Sequence, residues 1–326
     1  MRLVLATLAL MLAACAAEPD AEAQITSVDE LLENVKDGIP SHSAEEQKRL
    51  NEYREVLQRK DNIPADHHWN TVDTNLTCQG IVKQGGLVIC QTEPNATVEV
   101  GRSENDTYTQ TAGPDGRILV GFDRDEPNAF IRVGEQRVNF EIATREYDTS
   151  RIDGLPKNMV SEYTEEELVR IRKASALKKV GFASKVEEIG FENGFIYPVT
   201  EHIKTTNFGA QRILNGDPKR PHFGVDLAAP KGTPILAPAA GIVSLASEEM
   251  YFEGSLIMID HGQGLISYYL HNEDVMVEEG QRVEQGEQIG TVGSRGRSTG
   301  PHLCWRLKWR GRNLDPELLT EWPSNG

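Results

Sequence analysis

A chain of 326 residues is long enough for two or three compact units. Fifty acidic against 34 basic residues give a formal net charge of −16, which excludes a nucleic-acid partner, because a phosphate backbone calls for a basic surface. Hydrophobic content of 38% and charged content of 26% fit a globular protein with some flexible length.

The N-terminus has the layout of a secretory signal. Met1-Arg2 is positive, and Leu3 to Leu12 is an apolar run too short to span a bilayer as a mature helix. Leu12-Ala13-Ala14-Cys15 resembles the lipobox of bacterial lipoproteins. That resemblance implies a signal over 1–14, a lipid on Cys15, attachment to the membrane through it, and a periplasmic location. Ala16 resembles the residue of lipoproteins sorted to the outer membrane. The alternative is an ordinary signal cut after Ala21-Glu22-Ala23, with Cys15 discarded. Residues 15–71 then form a tether with short helices, opened by capping boxes at Ser27 to Glu30 and Ser43 to Glu46. His42, His67 and His68 fall here without partners at ligand spacing and read as solvated.

Residues 72–150 change texture. Short β-rich runs (Ala96 to Val100, Arg117 to Phe122, Ala129 to Val133, Arg137 to Thr144) alternate with turn signals, which predicts a small antiparallel β-sandwich. Cys78 and Cys90 lie symmetrically about Gln84-Gly85-Gly86, so a hairpin would bring them together and an oxidising compartment would close a disulfide. Residues 151–190 are a helical connector, with Thr164 to Glu167 capping a helix that runs to about Val180 and carries Leu168, Ile171 and Leu177.

Residues 191–326 read as an all-β domain rich in hairpins. One pair is predicted within Gly232 to Val243. A second joins Ser255–Asp260 to Leu265–Leu270, and in a third Val275–Val277 meets Glu279–Val283 and then Gln288–Gly290. Period-two alternation splits Gly300 to Trp309 into a core face, Leu303, Trp305, Leu307 and Trp309, and a polar face, His302, Cys304, Arg306 and Lys308. The polar face should look into a cleft. The same alternation sets His271 with Ser267 and Tyr269 at a strand end. His222 and Asp226 would be roughly 13 Å apart in a flat strand, so the chain must bend between them, and Gly224 supplies the freedom. His, Asp and Cys are ligand types that zinc takes, and a hydrolytic zinc centre needs three protein ligands and an open position. Cys304 has no cysteine left to pair with, and a metal would hold it as thiolate and protect it.

The segments His222-Phe223-Gly224-Val225-Asp226, Ala228 to Pro234, Ile259 to Gly262, Tyr269-Leu270-His271 and Gly296 to Leu303 resemble the lysostaphin/LytM-type zinc metallopeptidases. The resemblance covers about the last 130 residues, with the segments in family order. It implies a mainly β chain ending in a duplicated-hybrid-motif antiparallel domain, one zinc ion, and hydrolysis of peptide cross-links in peptidoglycan. It also implies that His222 and Asp226 are ligands and that His271 and His302 are the catalytic pair, their roles as base and acid unassigned. The family's third ligand is a His where this chain has Cys304. That departure leaves two outcomes open. One is a His-Asp-Cys zinc endopeptidase acting on stem peptides. The other is a non-cutting lipoprotein that binds the wall or activates an amidase partner. Arg306 lines the cleft rim or binds substrate carboxylates, whereas His261, in a Gly-rich turn, is structural and His202 has no context that supports a role.

Overall fold

The computed structural model describes residues 76–321 apart from 156, 158–159 and 187–188. The signal, the Cys15 lipid site, both early capping boxes and His42, His67 and His68 lie outside the described residues. All described residues fall in one compact unit.

The first strands are β1 (Thr77–Gly80), β2 (Leu87–Gln91), β3 (Thr97–Ser103), β4 (Asp106–Thr111), β5 (Arg117–Gly121), β6 (Asn128–Val133) and β7 (Gln136–Glu141). They form two antiparallel sheets, β1-β2-β5 and β4-β3-β6-β7. Alternation explains their packing. Val98 and Val100 of β3 and Ala129 and Ile131 of β6 point inward, and the intervening residues of β3 and β4 stay wet. Cys78 stands opposite Cys90 in the β1–β2 register, and the two form a disulfide. Closing so short a loop stabilises the fold by about 3 kcal/mol in the chain-entropy account.

Next come β8 (Thr149–Ile152) and α1 (Glu165–Phe182). Thr164 caps α1 through the expected capping box with Glu167. The remaining strands are β9 (Ile203–Thr206), β10 (Gln211–Leu214), β11 (Asp217–Pro218), β12 (Val225–Ala228), β13 (Pro234–Leu236), β14 (Gly241–Met250), β15 (Gly254–Asp260), β16 (Leu265–Leu270), β17 (Asn272–Val275), β18 (Arg282–Val283), β19 (Gln288–Val292), β20 (His302–Trp309) and β21 (Arg312–Leu314). The main sheet runs β18-β14-β15-β16-β20-β12-β9, with β21 added beside β20. A second sheet is β13-β19-β17, and a third joins β11, β10 and, in parallel, β8.

Two of the predicted hairpins are corrected. β13 and β14 exist but do not pair with each other, since β13 pairs with β19 and β14 with β15 and β18. The run after Val275 likewise pairs β17 with β19 and sends β18 to β14. Adjacency in sequence favours a hairpin, but here distant partners cover the apolar faces instead. The β15–β16 hairpin forms as expected.

One hydrophobic cluster extends from Leu76 through Phe122, Tyr269, Trp305 and Trp309 to Leu319, so both β regions share a core. Buried ion pairs cross the same boundary: Arg312 to Glu126 at 3.0 Å and Arg145 to Asp315 at 2.8 Å. The other face of the main sheet is covered by α1. There Ala174, Leu177 and Phe182 meet Leu245, Met258, Tyr268, Leu270 and Cys304 in a second cluster. β15 and β16 are therefore buried on both faces.

Candidate metal centre

β20 lies between β16 and β12, and its register builds the site. Val225 opposes Trp305 and Leu227 opposes Leu303, so those residues feed the large core. Asp226 must then point to the other face, directly opposite Cys304. Leu270 opposes Cys304 from the β16 side. The expectation that the whole polar face of β20 looks into a cleft is corrected. Cys304 is only 1% exposed, and Lys308 lies over the Phe182 ring at 4.7 Å beneath α1. His302, Cys304 and Arg306 reach the site, and Lys308 does not.

His222 precedes β12 and is fixed by its backbone, with its N–H donating to Ala210 O and its carbonyl accepting from Gly209 N. The bend to Asp226 forms, but the role of Gly224 differs from the one read in the sequence. Its φ is not in the left-handed region. A Cβ there would lie 2.4 Å from Arg306 Cγ and 2.6 Å from the Trp305 carbonyl, so the missing side chain is a matter of close approach.

The outcome is a convergence of three donors. His222 Nε2 lies 3.1 Å from Cys304 Sγ and 3.1 Å from Asp226 Oδ1. All three donor atoms fall within 4.8 Å of one another, and all three residues are buried. Ligand bonds of about 2.0–2.3 Å set tetrahedral donors a little over 3 Å apart, which is the scale seen here. One proton on Nε2 cannot serve both the sulfur and the carboxylate, and Asp226 Oδ1 is left buried without a hydrogen bond. An orphaned buried carboxylate oxygen costs free energy that a cation in this position would remove. The donor set therefore fits zinc, which His222, Asp226 and Cys304 would hold.

The electrostatics agree with that fit. Burial lowers the His222 pKa to about 4, so the ring is neutral, as a ligand must be. Burial opposes charge on Asp226, but His222, His302 and Arg212 outweigh it and hold the carboxyl well below the usual range. Burial pushes the Cys304 thiol up to about 12, so a metal has to displace its proton.

His271 and His302 flank the donors. Their ring centroids are 4.8 Å apart, and His302 Nε2 lies 3.8 Å from Asp226 Oδ1. His271 Nδ1 is 2.7 Å from the Arg295 carbonyl, and His302 Nδ1 is 2.8 Å from the Gly300 carbonyl. A carbonyl only accepts, so each Nδ1 carries a proton, and in a neutral ring Nε2 is then the nitrogen left to accept one. Burial, with His302 beside it, lowers the His271 pKa to about 3 and keeps that ring neutral. His271 does not reach the site by strand alternation. Ser267 and Tyr269 face the core with Trp305 and Leu307, and alternation would send His271 there too. β16 instead ends at Leu270, and a φ of 68° at His271 turns the side chain over.

Arg306 Nε donates to Cys304 Sγ at 3.2 Å. His261 bonds Ala240 O and Ser267 Oγ deep in the core, and His202 bonds Val199 O. Arg212, 3.8 Å from Asp226, was missed by sequence reasoning. It sits on β10, which follows Gly209 and Ala210, the residues joined to His222 by backbone hydrogen bonds, and no local motif marks it. The carbonyls of Arg295 and Gly300 were also missed, because any residue type carries one.

The fold is a β-sheet domain in which three donors that could hold one cation lie beside two imidazoles. Residues 220–316 match the model for peptidase family M23, and this part of the chain is a peptidase M23 domain. The peptidoglycan DD-endopeptidase ShyA of Vibrio cholerae is 40% identical over 121 residues, 36% of this chain and 28% of its own. The uncharacterized lipoprotein YgeR of Escherichia coli is 38% identical over 93 residues, 28% of this chain and 37% of its own. A crystal structure from Pseudomonas aeruginosa assigned to peptidase M23 superposes with a TM-score of 0.53 at 24% identity. It covers 74% of this chain and 95% of its own, so the likeness in fold extends beyond residues 220–316. The chain spans about a quarter of the length of the first curated relatives it matches.

Proposed function

We propose that this protein is a zinc-dependent endopeptidase that hydrolyses peptide cross-links of peptidoglycan while held to a membrane by a lipid on Cys15. The observation that carries the proposal is the convergence of His222, Asp226 and Cys304 with an orphaned carboxylate oxygen at its centre. The M23 domain and a relative named peptidoglycan DD-endopeptidase support the substrate class. A relative named as a lipoprotein supports an envelope location, and the lipobox-like Leu12 to Cys15 followed by Ala16 supports an outer-membrane anchor facing the periplasm.

A zinc ion held there would supply Lewis acidity, toward a scissile carbonyl and toward water. The chain's own residues do the rest. The Nε2 lone pair of His271 or His302 accepts a proton from the attacking water. The other imidazole stabilises the developing oxyanion or returns a proton to the leaving amine. The Arg295 and Gly300 carbonyls fix both tautomers, so neither ring has to reorient during the reaction. If the bond is that between D-alanine and a diamino acid, the new amine leaves on the side of the general acid.

The test is digestion of purified cross-linked muropeptides by the full chain, before and after chelation, beside His222→Ala. The proposal expects cross-links to disappear only with the metal-loaded wild type. A metal-free chain with intact fold and no cleavage would favour the non-cutting wall-binding or amidase-activating alternative.

A further inference from the structure

Cysteine binds zinc as thiolate, so a His-Asp-Cys set carries one more negative charge than the His-Asp-His set of the family pattern. Added donation from sulfur weakens the cation as a Lewis acid. The structure contains a counterweight. Arg306 Nε donates to Cys304 Sγ at 3.2 Å. The guanidinium is a permanent cation, and Nε lies on the stem of its fork. Its position is over-determined. The bare backbone of Gly224 packs on Cγ and Cδ from one side. Tyr268, opposite Arg306 in the β16–β20 register, presents its ring 6.0 Å from the guanidinium carbon. The glycine between His222 and Asp226 thus makes room for the arginine that meets the third donor.

We propose that Arg306 is a positioning residue and charge partner for Cys304, the two acting as one neutral donor unit in place of an imidazole. This rests on Cys304 being a ligand. A thiolate of −1 with a guanidinium of +1 restores the net charge of a neutral histidine, and the N–H···S bond draws charge back from the sulfur. The role differs from rim contact with substrate, because the inner nitrogen is committed to the sulfur. A lysine would not replace it, since its ammonium has no donor on the stem.

A double-variant cycle on the full chain tests this, with zinc affinity read by chelator competition. Cys304→Ala comes first, and full zinc content in it would remove Cys304 from the donor set and the proposal with it. With that ligand established, Arg306→Met should weaken zinc binding about 10- to 100-fold, the range for lost outer-shell partners of a metal ligand. The same change made on Cys304→His should alter affinity less than about 3-fold, because imidazole needs no counter-charge. Arg306→Gln, which keeps an N–H but not the charge, should fall between wild type and Arg306→Met. Cobalt in place of zinc adds a readout that needs no histidine variant. The sulfur-to-cobalt charge-transfer band should move to lower energy in Arg306→Met as the thiolate becomes more donating. Equal losses in both backgrounds, no loss in either, or an unmoved band would each overturn the proposal while leaving the ligand assignment in place.

Discussion

The same device, an antiparallel register that sets two reactive side chains face to face, is used twice in this molecule with opposite results. In the N-terminal β region Cys78 opposes Cys90, and the pair closes on itself as a disulfide. In the C-terminal region Asp226 opposes Cys304, and the pair stays open, joined by His222. A closed pair satisfies its own chemistry and serves stability alone. An open pair leaves an orphaned carboxylate oxygen and a buried thiol, a standing cost that a cation removes. The difference separates a pair that is complete as it stands from one that a cation would complete: what matters is whether the donors can satisfy one another without a third party.

Breaking the open pair should have the largest effect. Asp226→Ala should abolish stoichiometric zinc binding and lower cross-link hydrolysis by at least about 10³-fold, checked by metal analysis and muropeptide digestion. Breaking one of the ion pairs that join the two regions comes next. Glu126→Ala leaves Arg312 without its carboxylate in a buried setting and should cost about 3–5 kcal/mol in denaturant unfolding. Opening the closed pair with Cys78→Ser and Cys90→Ser together should cost about 3 kcal/mol by the same measurement, with zinc content unchanged. Loss of zinc in that variant would show that the two pairs are not independent.

The two pairs also part in their response to pH. The disulfide has no proton to exchange. In the metal-free chain the folded pKa values of His222, about 4, and His271, about 3, lie below the unfolded value near 6.5. Both contribute stability that is present above that value and lost as the pH falls toward 3. The Cys304 pKa is raised to about 12, so its contribution is complete below the unfolded thiol value of about 8.5 and is lost as the pH rises toward 12. Denaturation of the metal-free chain across pH should show both losses. Saturating zinc should remove the alkaline one, because the bound sulfur no longer carries a proton in that range.

How far each pair could be read in the sequence follows from distance along the chain. Cys78 and Cys90 flank one short turn, so symmetry alone predicts their register. The Thr164 capping box is as local, and α1 starts where it says. Asp226 and Cys304 come from strands far apart in the chain, and before the structure only their ligand chemistry and the resemblance to a known family linked them. The β13–β14 and β17–β18 hairpins failed for the same reason, since pairing with distant strands overrode a plausible local turn. His271 lies beside His302, but not by the alternation read in the sequence, because periodicity cannot foresee a left-handed φ at a strand end. Gly224 taught a similar lesson: a glycine between two polar residues reads as flexibility, and what it provides is room for Arg306.

The most direct test of the centre is X-ray absorption at the zinc edge on the full chain loaded with one equivalent of metal. One sulfur scatterer at about 2.3 Å beside nitrogen and oxygen at about 2.0–2.2 Å is the predicted first shell. A shell of nitrogen and oxygen alone would contradict it, because Cys304 would then stand outside the coordination it is held to complete.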